Sequence, residues 1–275
     1  MSVHTQSAAN KPVTLLQLAE MRSRDEPIAM LTCYDASFAR LLDDCAVDCL
    51  LVGDSLGMVI QGHASTLPVT VQDVAYHVQA VARGTQRAWV IADMPFGSYQ
   101  GAPQSAFDNA VRLMQAGAQM VKVEGGAWLA ATIEFLVARG IPVCAHLGLT
   151  PQSVHLLGGY RIQARNDAAA DQLIADALTL QAAGASMLVL ELIPAPVAER
   201  VTAQLKIPTI GIGAGVSCSG QVLVLHDMLD IMPGKKPRFV RNFMRDAPDV
   251  AGAVRSYVSA VKNRSFPGAE QAYPG

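Results

Sequence analysis

The chain has 275 residues, of which 51% are hydrophobic and 16% charged, and its formal net charge is -2. This composition is typical of a globular protein with a large core and excludes a disordered chain. The charge provides no basic surface for a phosphate backbone, so we expect no nucleic-acid partner. The N-terminal residues lack the apolar core and cleavage signature of a signal peptide, and no run of about 18 uncharged apolar residues occurs, so we expect neither a signal peptide nor membrane association. The five cysteines lack zinc-site spacing, which favours a cytoplasmic location.

Short apolar runs recur along the chain, and several end at an ionisable residue. Continuous apolar runs are typical of strands buried on both faces, as in a parallel sheet covered by helices. The eight candidate strands are IAMLTCYD near the start, DCLLVGD, AWVIAD, MVKVE, IPVCAH, MLVLE, IPTIGIGAG (207–215) and QVLVLHD (221–227). The ionisable residues that end five central runs are Asp54, Asp93, Glu124, His146 and Glu191.

Helical patterns with recognisable ends separate these runs. In TVQDVAYHVQAVARG, Thr70 and Asp73 have capping-box spacing, and Gly84 is expected to end the helix. The segment SAFDNAVRLMQAG repeats the pattern, with Ser105 as the expected cap and Gly117 as the expected end. Strands therefore alternate with helices along the chain.

Eight such units predict a (β/α)8 barrel, the TIM barrel, whose usual length is roughly 250 residues. We expect residues 1–275 to form one barrel domain with a short polar N-terminal extension, about 1–12. A helical unit at roughly 14–23 precedes the first strand and is expected to close the bottom of the barrel. An open doubly wound sheet is the structural alternative. The barrel is favoured because its active site gathers at the carboxyl ends of the strands, where the ionisable residues would converge.

The converging residues predict a magnesium site. Asp54 and Asp93 supply hard oxygen ligands, which suit Mg²⁺ better than zinc. Lys122 and Glu124 are two residues apart on one strand, so their side chains share a face. Lys122 would point at a ligand bound to the metal. The alternatives are helix caps for the two aspartates and a buried ion pair between Lys122 and Glu124.

Two long loops follow strands, one after Asp54 and the other over residues 147–167. Loops of more than roughly 12–15 residues in compact domains are often functional, and the apolar content of the second predicts a folded lid. Gly158 and Gly159 are candidates for hinges or for simple turns. Ser55 is a candidate donor to a substrate carboxylate, and His146 is either a supporting donor or a hydrogen-bonded core residue.

Long ordered blocks resemble the ketopantoate hydroxymethyltransferase family from about residue 11 to about residue 268. They are LTCYDASFA, LVGDSLGMVIQGHASTLPVT, MVKVEGG, HLGLTPQSVHLLGGYRIQAR, LVLELIP, PTIGIGAG and QVLVLHDM. The resemblance implies a barrel of the phosphoenolpyruvate/pyruvate type, a homodecamer and Mg²⁺. One segment, SYQGAPQSAF (98–107), differs from the family pattern, so the resemblance predicts nothing about the loop after the third strand.

The resemblance also implies residue roles. Asp54 and Asp93 match metal ligands, and Glu124 matches a third position in the metal site. The residues that match keto-acid contacts are Asp54, Ser55, Asp93 and Lys122. Glu191 matches the catalytic proton acceptor.

The implied reaction transfers a one-carbon unit from 5,10-methylenetetrahydrofolate to 3-methyl-2-oxobutanoate through a Mg²⁺-stabilised enolate. It yields ketopantoate, an intermediate of pantothenate and coenzyme A biosynthesis. The partners would be a small 2-oxo acid and the folate co-substrate. A Mg²⁺-dependent lyase or mutase acting on a 2-oxo acid on the same type of barrel is the alternative, and a carboxylate-binding scaffold is a weaker one.

Overall fold

The computed structural model describes residues 11–232, 234 and 236–274. Eight parallel strands form a closed barrel in chain order, with β8 paired to β1. The strands are β1 (Ile28–Thr32), β2 (Cys49–Val52), β3 (Trp89–Asp93), β4 (Met120–Glu124), β5 (Val143–Gly148), β6 (Met187–Glu191), β7 (Thr209–Ile212) and β8 (Gly220–Leu223). The (β/α)8 prediction is confirmed and the open sheet is excluded. The expected extension, about 1–12, lies almost wholly outside the described residues.

Helices surround the barrel, and short helices lie within its loops. They are α1 (Leu15–Ser23), α2 (Ala36–Asp44), α3 (Leu56–Val59), α4 (Val71–Gly84), α5 (Pro103–Ala116), α6 (Ala130–Val137), α7 (Val154–Leu157), α8 (Asp167–Ala182), α9 (Ala195–Gln204), α10 (Leu225–Met228) and α11 (Val250–Lys262). In α1, Arg22 Nη2 donates to the carbonyl of Leu205 at 3.2 Å, just before β7. Helix α1 therefore lies beside the amino ends of the strands, as expected for a cover at the bottom.

The predicted cap and the predicted end of α4 are both confirmed. Thr70 Oγ1 accepts from the Asp73 backbone at 3.2 Å, and Asp73 Oδ2 accepts from the Thr70 backbone at 2.9 Å. Gly84 is the last residue of α4, although it lacks the left-handed φ of a typical C-terminal glycine. A Cβ there would lie 2.3 Å from the carbonyl oxygen of Ala36, so this glycine allows α4 to pack closely on α2.

The expected start of α5 is wrong. The helix begins at Pro103, after Ala102, so Ser105 lies within its first turn and caps nothing. Proline suits the first helical position because its missing N–H would have no intrahelical partner there, and its fixed φ is already helical. Gly117 ends the helix as predicted, with a left-handed φ of 118°.

Strand β8 is shorter than the run that predicted it. It ends at Leu223, and the chain turns into α10 at Leu225. The Leu225 backbone N–H is bound by Thr32 Oγ1 at 3.0 Å, a side-chain bond from β1 that the local pattern does not reveal.

The strand register aligns the polar strand ends. Asp93 lies beside Lys122, Glu124 beside His146, and Glu191 beside Gly148. Parallel strands in this register bring their last side chains to one rim of the barrel. The fold therefore gathers the predicted site residues at one rim of the barrel.

Candidate active site

A cavity of about 610 Å³ opens at the carboxyl ends of the strands. Every site residue predicted from the sequence lines it, namely Asp54, Ser55, Asp93, Lys122, Glu124, His146 and Glu191. The barrel therefore brings together residues that are up to 137 positions apart in sequence, the separation of Asp54 and Glu191 (191 − 54).

Lys122 lies between two carboxylates. Its Nζ is 2.7 Å from Asp93 Oδ1 and 3.3 Å from Glu124 Oε1, and the side chain is 5% exposed. Burial alone would lower the pKa of Lys122, but the carboxylates of Asp93 and Glu124 outweigh it and raise that pKa well above its ordinary value. The ammonium group is therefore charged in the neutral range. Lys122 pairs with Glu124, as the ion-pair alternative predicted, and it also lines the cavity. That it points at a ligand bound to a metal stays a prediction.

Glu124 is held at both carboxylate oxygens. Oε1 also lies 3.2 Å from His146 Nδ1, and Oε2 accepts from the Gln152 backbone at 3.0 Å. Burial would raise the pKa of Glu124, but Lys122 and then His146 lower it to about 2. This carboxylate is therefore ionised throughout the neutral range.

His146 bridges two acidic side chains at the centre of the site. Its Nδ1 is 3.2 Å from Glu124 Oε1, and its Nε2 is 3.3 Å from Glu191 Oε2 without the alignment of a good hydrogen bond. Burial and Lys122 both lower the pKa of His146, but its contacts with the carboxylates of Glu124 and Glu191 outweigh them and bring it to about 9. His146 is thus a buried support that links Glu191 to the cluster.

Asp54 and Asp93 face each other across the ends of β2 and β3. Asp93 Oδ2 accepts from the Asp54 backbone at 2.9 Å, and Asp54 Oδ2 accepts from Gln152 Nε2 at 2.9 Å. Burial, then the negative charges of Asp93 and Glu124, raise the pKa of Asp54 well above its ordinary range. Neither aspartate caps a helix, because α3 and α5 begin after Ser55 and Ala102, so that alternative is wrong.

The cluster fits a hard cation in the chemistry of its donors. Asp54, Asp93 and Glu124 are buried carboxylates, of which the last two pair with Lys122, and Asp93 Oδ1 has no aligned hydrogen-bond donor. Among the described residues, no three His, Cys, Asp or Glu side chains are arranged around a common metal position. In this arrangement Lys122 and Gln152 contact the carboxylates. A divalent cation would relieve the excess negative charge that raises the pKa of Asp54.

Ser55 has a fixed orientation beside the carboxylates. Its Oγ lies 2.8 Å from the hydroxyl of Tyr34, which is buried. A Cβ at Gly53 would lie only 2.9 Å from this Oγ, so the glycine leaves the space that the hydroxyl occupies. Ser55 can present a donor to the cavity in the arrangement in which the Tyr34 hydroxyl donates to it, since either hydroxyl can be the donor of this bond.

Sequence reasoning missed three residues that support the site. Gln152 contacts Asp54, Tyr99 contacts Gln152, and Tyr34 contacts Ser55. Gln152 lies in the predicted lid, directly after Thr150 and Pro151, within a 3₁₀ turn. No local pattern distinguishes Tyr34 or Tyr99 from core aromatic residues.

The two long loops meet over the cavity. Residues 151–153 form a 3₁₀ turn that leads into α7, and the hydroxyl of Tyr160 then reaches Met58 Sδ at 3.6 Å. Gly158 and Gly159 have φ of 67° and 106°, so both satisfy the turn interpretation. Their use as hinges stays a prediction.

Several solved structures have the same fold as this chain. A putative phosphonomutase from Burkholderia cenocepacia J2315 aligns with a TM-score of 0.62 and 17% identity, over 80% of this chain and 96% of that one. A 2,3-dimethylmalate lyase of the phosphoenolpyruvate mutase/isocitrate lyase superfamily aligns with a TM-score of 0.57 and 16% identity, over 92% and 98%. These likenesses show the fold that this chain shares with them, a (β/α)8 barrel.

Sequence comparison shows the family to which the chain belongs. Residues 12–269 match the family model of ketopantoate hydroxymethyltransferase. The chain is 60% identical over 270 residues to 3-methyl-2-oxobutanoate hydroxymethyltransferase 1 of Burkholderia cenocepacia (strain HI2424), covering 98% of this chain and 99% of the relative. It is 61% identical over 265 residues to 3-methyl-2-oxobutanoate hydroxymethyltransferase of Azoarcus sp. (strain BH72), covering 96% and 98%. The chain belongs to the ketopantoate hydroxymethyltransferase family.

The described part of the chain contains no helix that is long and apolar enough to cross a membrane.

Proposed function

We propose that this protein transfers a hydroxymethyl group from 5,10-methylenetetrahydrofolate to 3-methyl-2-oxobutanoate and so forms ketopantoate for pantothenate and coenzyme A biosynthesis. The observation that carries the proposal is the buried Lys122 between Asp93 and Glu124, with Glu191 linked to the same cluster through His146. Such a site combines a fixed positive charge with a carboxylate that can accept a proton. Family membership favours this reaction over a lyase or mutase, whose support is a likeness of fold at 16–17% identity.

Asp54, Asp93 and Glu124 are the residues that would hold Mg²⁺. Their carboxylate oxygens are the hard donors that Mg²⁺ prefers, and they lie together at one rim of the barrel. When bound, Mg²⁺ would supply Lewis acidity that draws electron density from the keto carbonyl of the substrate.

Lys122 would stabilise the charge that develops on the keto oxygen. Its ammonium group stays protonated because the surrounding carboxylates raise its pKa. A fixed charge in a buried site stabilises a developing oxyanion more strongly than the same charge in water. Ser55, oriented by Tyr34, would donate a hydrogen bond to the substrate carboxylate.

Glu191 would act as the base. Its side chain is 14% exposed and lines the cavity, and His146 holds one of its oxygens. Glu191 takes the C3 proton, the C–H electron pair forms the enolate, and C3 then forms a bond to the methylene carbon of the folate iminium. A water molecule then supplies the hydroxyl group to the methylene carbon while the bond from that carbon to the folate nitrogen breaks, and the nitrogen takes a proton, which releases tetrahydrofolate. The loop at 147–167 would exclude water from the iminium until C3 has attacked it.

The apolar wall of the cavity suits the branched end of this keto acid. Val189, Ile212 and Val222 line the cavity beside the polar cluster. Branched side chains of this kind can contact the two methyl groups on C3 while the charged residues bind the carboxylate and keto oxygen.

Asp93→Ala is expected to lower Mg²⁺-dependent ketopantoate formation by roughly 10²-fold or more, the scale seen when an electrostatic group is removed from a preorganised site. The loss arises because Asp93 supplies a proposed metal ligand and a contact to Lys122. The rate is measured with saturating substrates, and circular dichroism checks the fold. Asp171→Ala, which breaks a solvent-exposed ion pair with Arg200, is the matched control and should stay active. Near-normal activity in Asp93→Ala would refute its assignment.

We also propose that the barrel is the single domain of the chain and that the protein assembles as a homodecamer. The family resemblance supports the decamer, as do large apolar side chains on the surface, including Leu16, Tyr76 and Trp128, which are 76%, 67% and 58% exposed. Light scattering at micromolar concentration should give a mass near ten times the 29.1 kDa chain. A mass of one chain would contradict this assembly.

A further inference from the structure

We infer that Gln152 is a positioning residue for the carboxylate cluster, held in a single amide orientation by Tyr99, and that it sets the affinity of the cluster for a divalent cation. This inference rests on the proposed metal site, and none of the predicted roles includes either residue. It follows from the way in which the hydrogen-bonding groups of Gln152 and Tyr99 are used.

All hydrogen-bonding groups of the Gln152 side chain are satisfied in one orientation. Its Nε2 donates to Asp54 Oδ2 at 2.9 Å and to the carbonyl of Met94 at 3.0 Å. Its Oε1 accepts from the Tyr99 hydroxyl at 2.7 Å and from Gln100 Nε2 at 3.2 Å. Turning the amide over would place its oxygen against two acceptors and its NH₂ against two donors, so the orientation is fixed.

Tyr99 defines that orientation because its hydroxyl has only one hydrogen. The hydroxyl accepts from the Glu124 backbone N–H at 3.0 Å. Its hydrogen can go to Gln152 Oε1 at 2.7 Å or to the carbonyl of Glu124 at 3.1 Å, and the shorter contact is to Gln152. Tyr99 is buried, so no water competes for these bonds.

Through Gln152, two of the three carboxylates proposed to hold the cation are oriented by one residue. The side chain donates to Asp54 Oδ2, and the backbone N–H donates to Glu124 Oε2 at 3.0 Å. Each of these bonds restricts rotation of a carboxylate. Partners of this kind orient metal ligands, and their removal typically costs roughly 10–100-fold in metal affinity.

The segment 98–107 supplies this support. Tyr99 and Gln100 both belong to it, and both donate to Gln152 Oε1. Gln100 is positioned in turn because its Oε1 accepts from the Gly97 backbone at 2.7 Å. The loop after β3 therefore contacts Gln152 at the start of the lid and, through Gln152, supports Asp54.

The test is the Mg²⁺ affinity of the metal-free full-length protein, measured by calorimetry without substrate. Gln152→Met keeps the side-chain length and removes every side-chain hydrogen bond, while the backbone bond to Glu124 remains, so its affinity should fall roughly 10–100-fold. Tyr99→Phe removes a single oxygen and should weaken Mg²⁺ binding severalfold. If Tyr99 acts through Gln152, the double variant should bind about as weakly as Gln152→Met alone, because the two effects are not additive.

Gln221→Met separates positioning from general stability. Gln221 is another buried glutamine, bonded to the carbonyl of Gly215, and it does not line the cavity. This variant should unfold at a lower temperature and keep the native Mg²⁺ affinity. Native affinity in both Gln152→Met and Tyr99→Phe would overturn the inference, and additive losses in the double variant would overturn the route through Gln152.

If Gln152→Met does not fold, Tyr99→Phe decides the question alone. Wild-type protein that binds no Mg²⁺ would refute the proposed metal site and this inference with it. Variants that bind as wild type does would refute the inference and leave the metal site standing.

Discussion

In heavy water, Glu191→Gln is expected to exchange the C3 proton of 3-methyl-2-oxobutanoate roughly 10²–10⁴-fold more slowly than wild type, the range for loss of a general base. The substitution keeps the shape of the side chain and a hydrogen-bond partner for His146 but removes the basic oxygen. Enolisation precedes attack on the one-carbon donor, so wild-type protein with Mg²⁺ should exchange this proton without folate. Loss of the C3–H signal in NMR spectra gives the rate.

Binding of the keto acid distinguishes a lost base from a lost site. Calorimetry should show that Glu191→Gln still binds 3-methyl-2-oxobutanoate in the presence of Mg²⁺, whereas Asp54→Ala should lose both binding and exchange. If Glu191→Gln exchanged the proton at the wild-type rate, the base would have to be another group, with Glu124 as the next candidate.

Lys122→Met is expected to lower the free energy of unfolding by about 3–5 kcal/mol, the cost of breaking a buried ion pair on one side. Asp93 and Glu124 would then be buried without their counter-charge, whereas in the native protein Lys122 lies 2.7 and 3.3 Å from them. Urea unfolding measures the difference. Lys206→Met, at an exposed position, is the control and should change stability little.

The stability deficit of Lys122→Met should also depend on pH. Lys122 is the largest of the influences that lower the pKa of Glu124 against the effect of burial. Without it, the pKa of Glu124 is expected to rise, so the folded variant takes up a proton more readily than the folded wild-type protein does. The deficit is therefore largest at high pH and narrows as the pH falls through the raised pKa. A deficit that does not change between pH 8 and pH 5 would contradict this explanation.

The barrel was predictable because the signals for its strands are local. Each buried run is short and continuously apolar, and the ionisable residues stand at the point where a strand reaches the rim. The spacing of Lys122 and Glu124 predicts a shared face, and their side chains do meet at 3.3 Å. The cap of α4 was predictable for the same reason, since Thr70 and Asp73 are three residues apart and bond each other.

Interactions between distant segments were not predictable. Gly84 is predicted as a helix end from the sequence, but its close packing on the carbonyl of Ala36 in another helix is not. The contact of Gln152 with Asp54 joins residues 98 positions apart, and neither residue signals the other. The pairing of Lys122 with Asp93 likewise depends on the register between β3 and β4. Residues that support the site in this way can be identified only from the folded structure.

The most direct test of the proposed function is the fate of the one-carbon unit. Purified protein is incubated with Mg²⁺, 3-methyl-2-oxobutanoate and 5,10-methylenetetrahydrofolate labelled with ¹³C in its methylene carbon. The label should appear in the hydroxymethyl carbon of ketopantoate, together with an equal amount of tetrahydrofolate, and it should not appear when Mg²⁺ is removed by a chelator. Cleavage or rearrangement of the 2-oxo acid without transfer of the label would contradict the proposed transferase activity and favour a lyase or mutase.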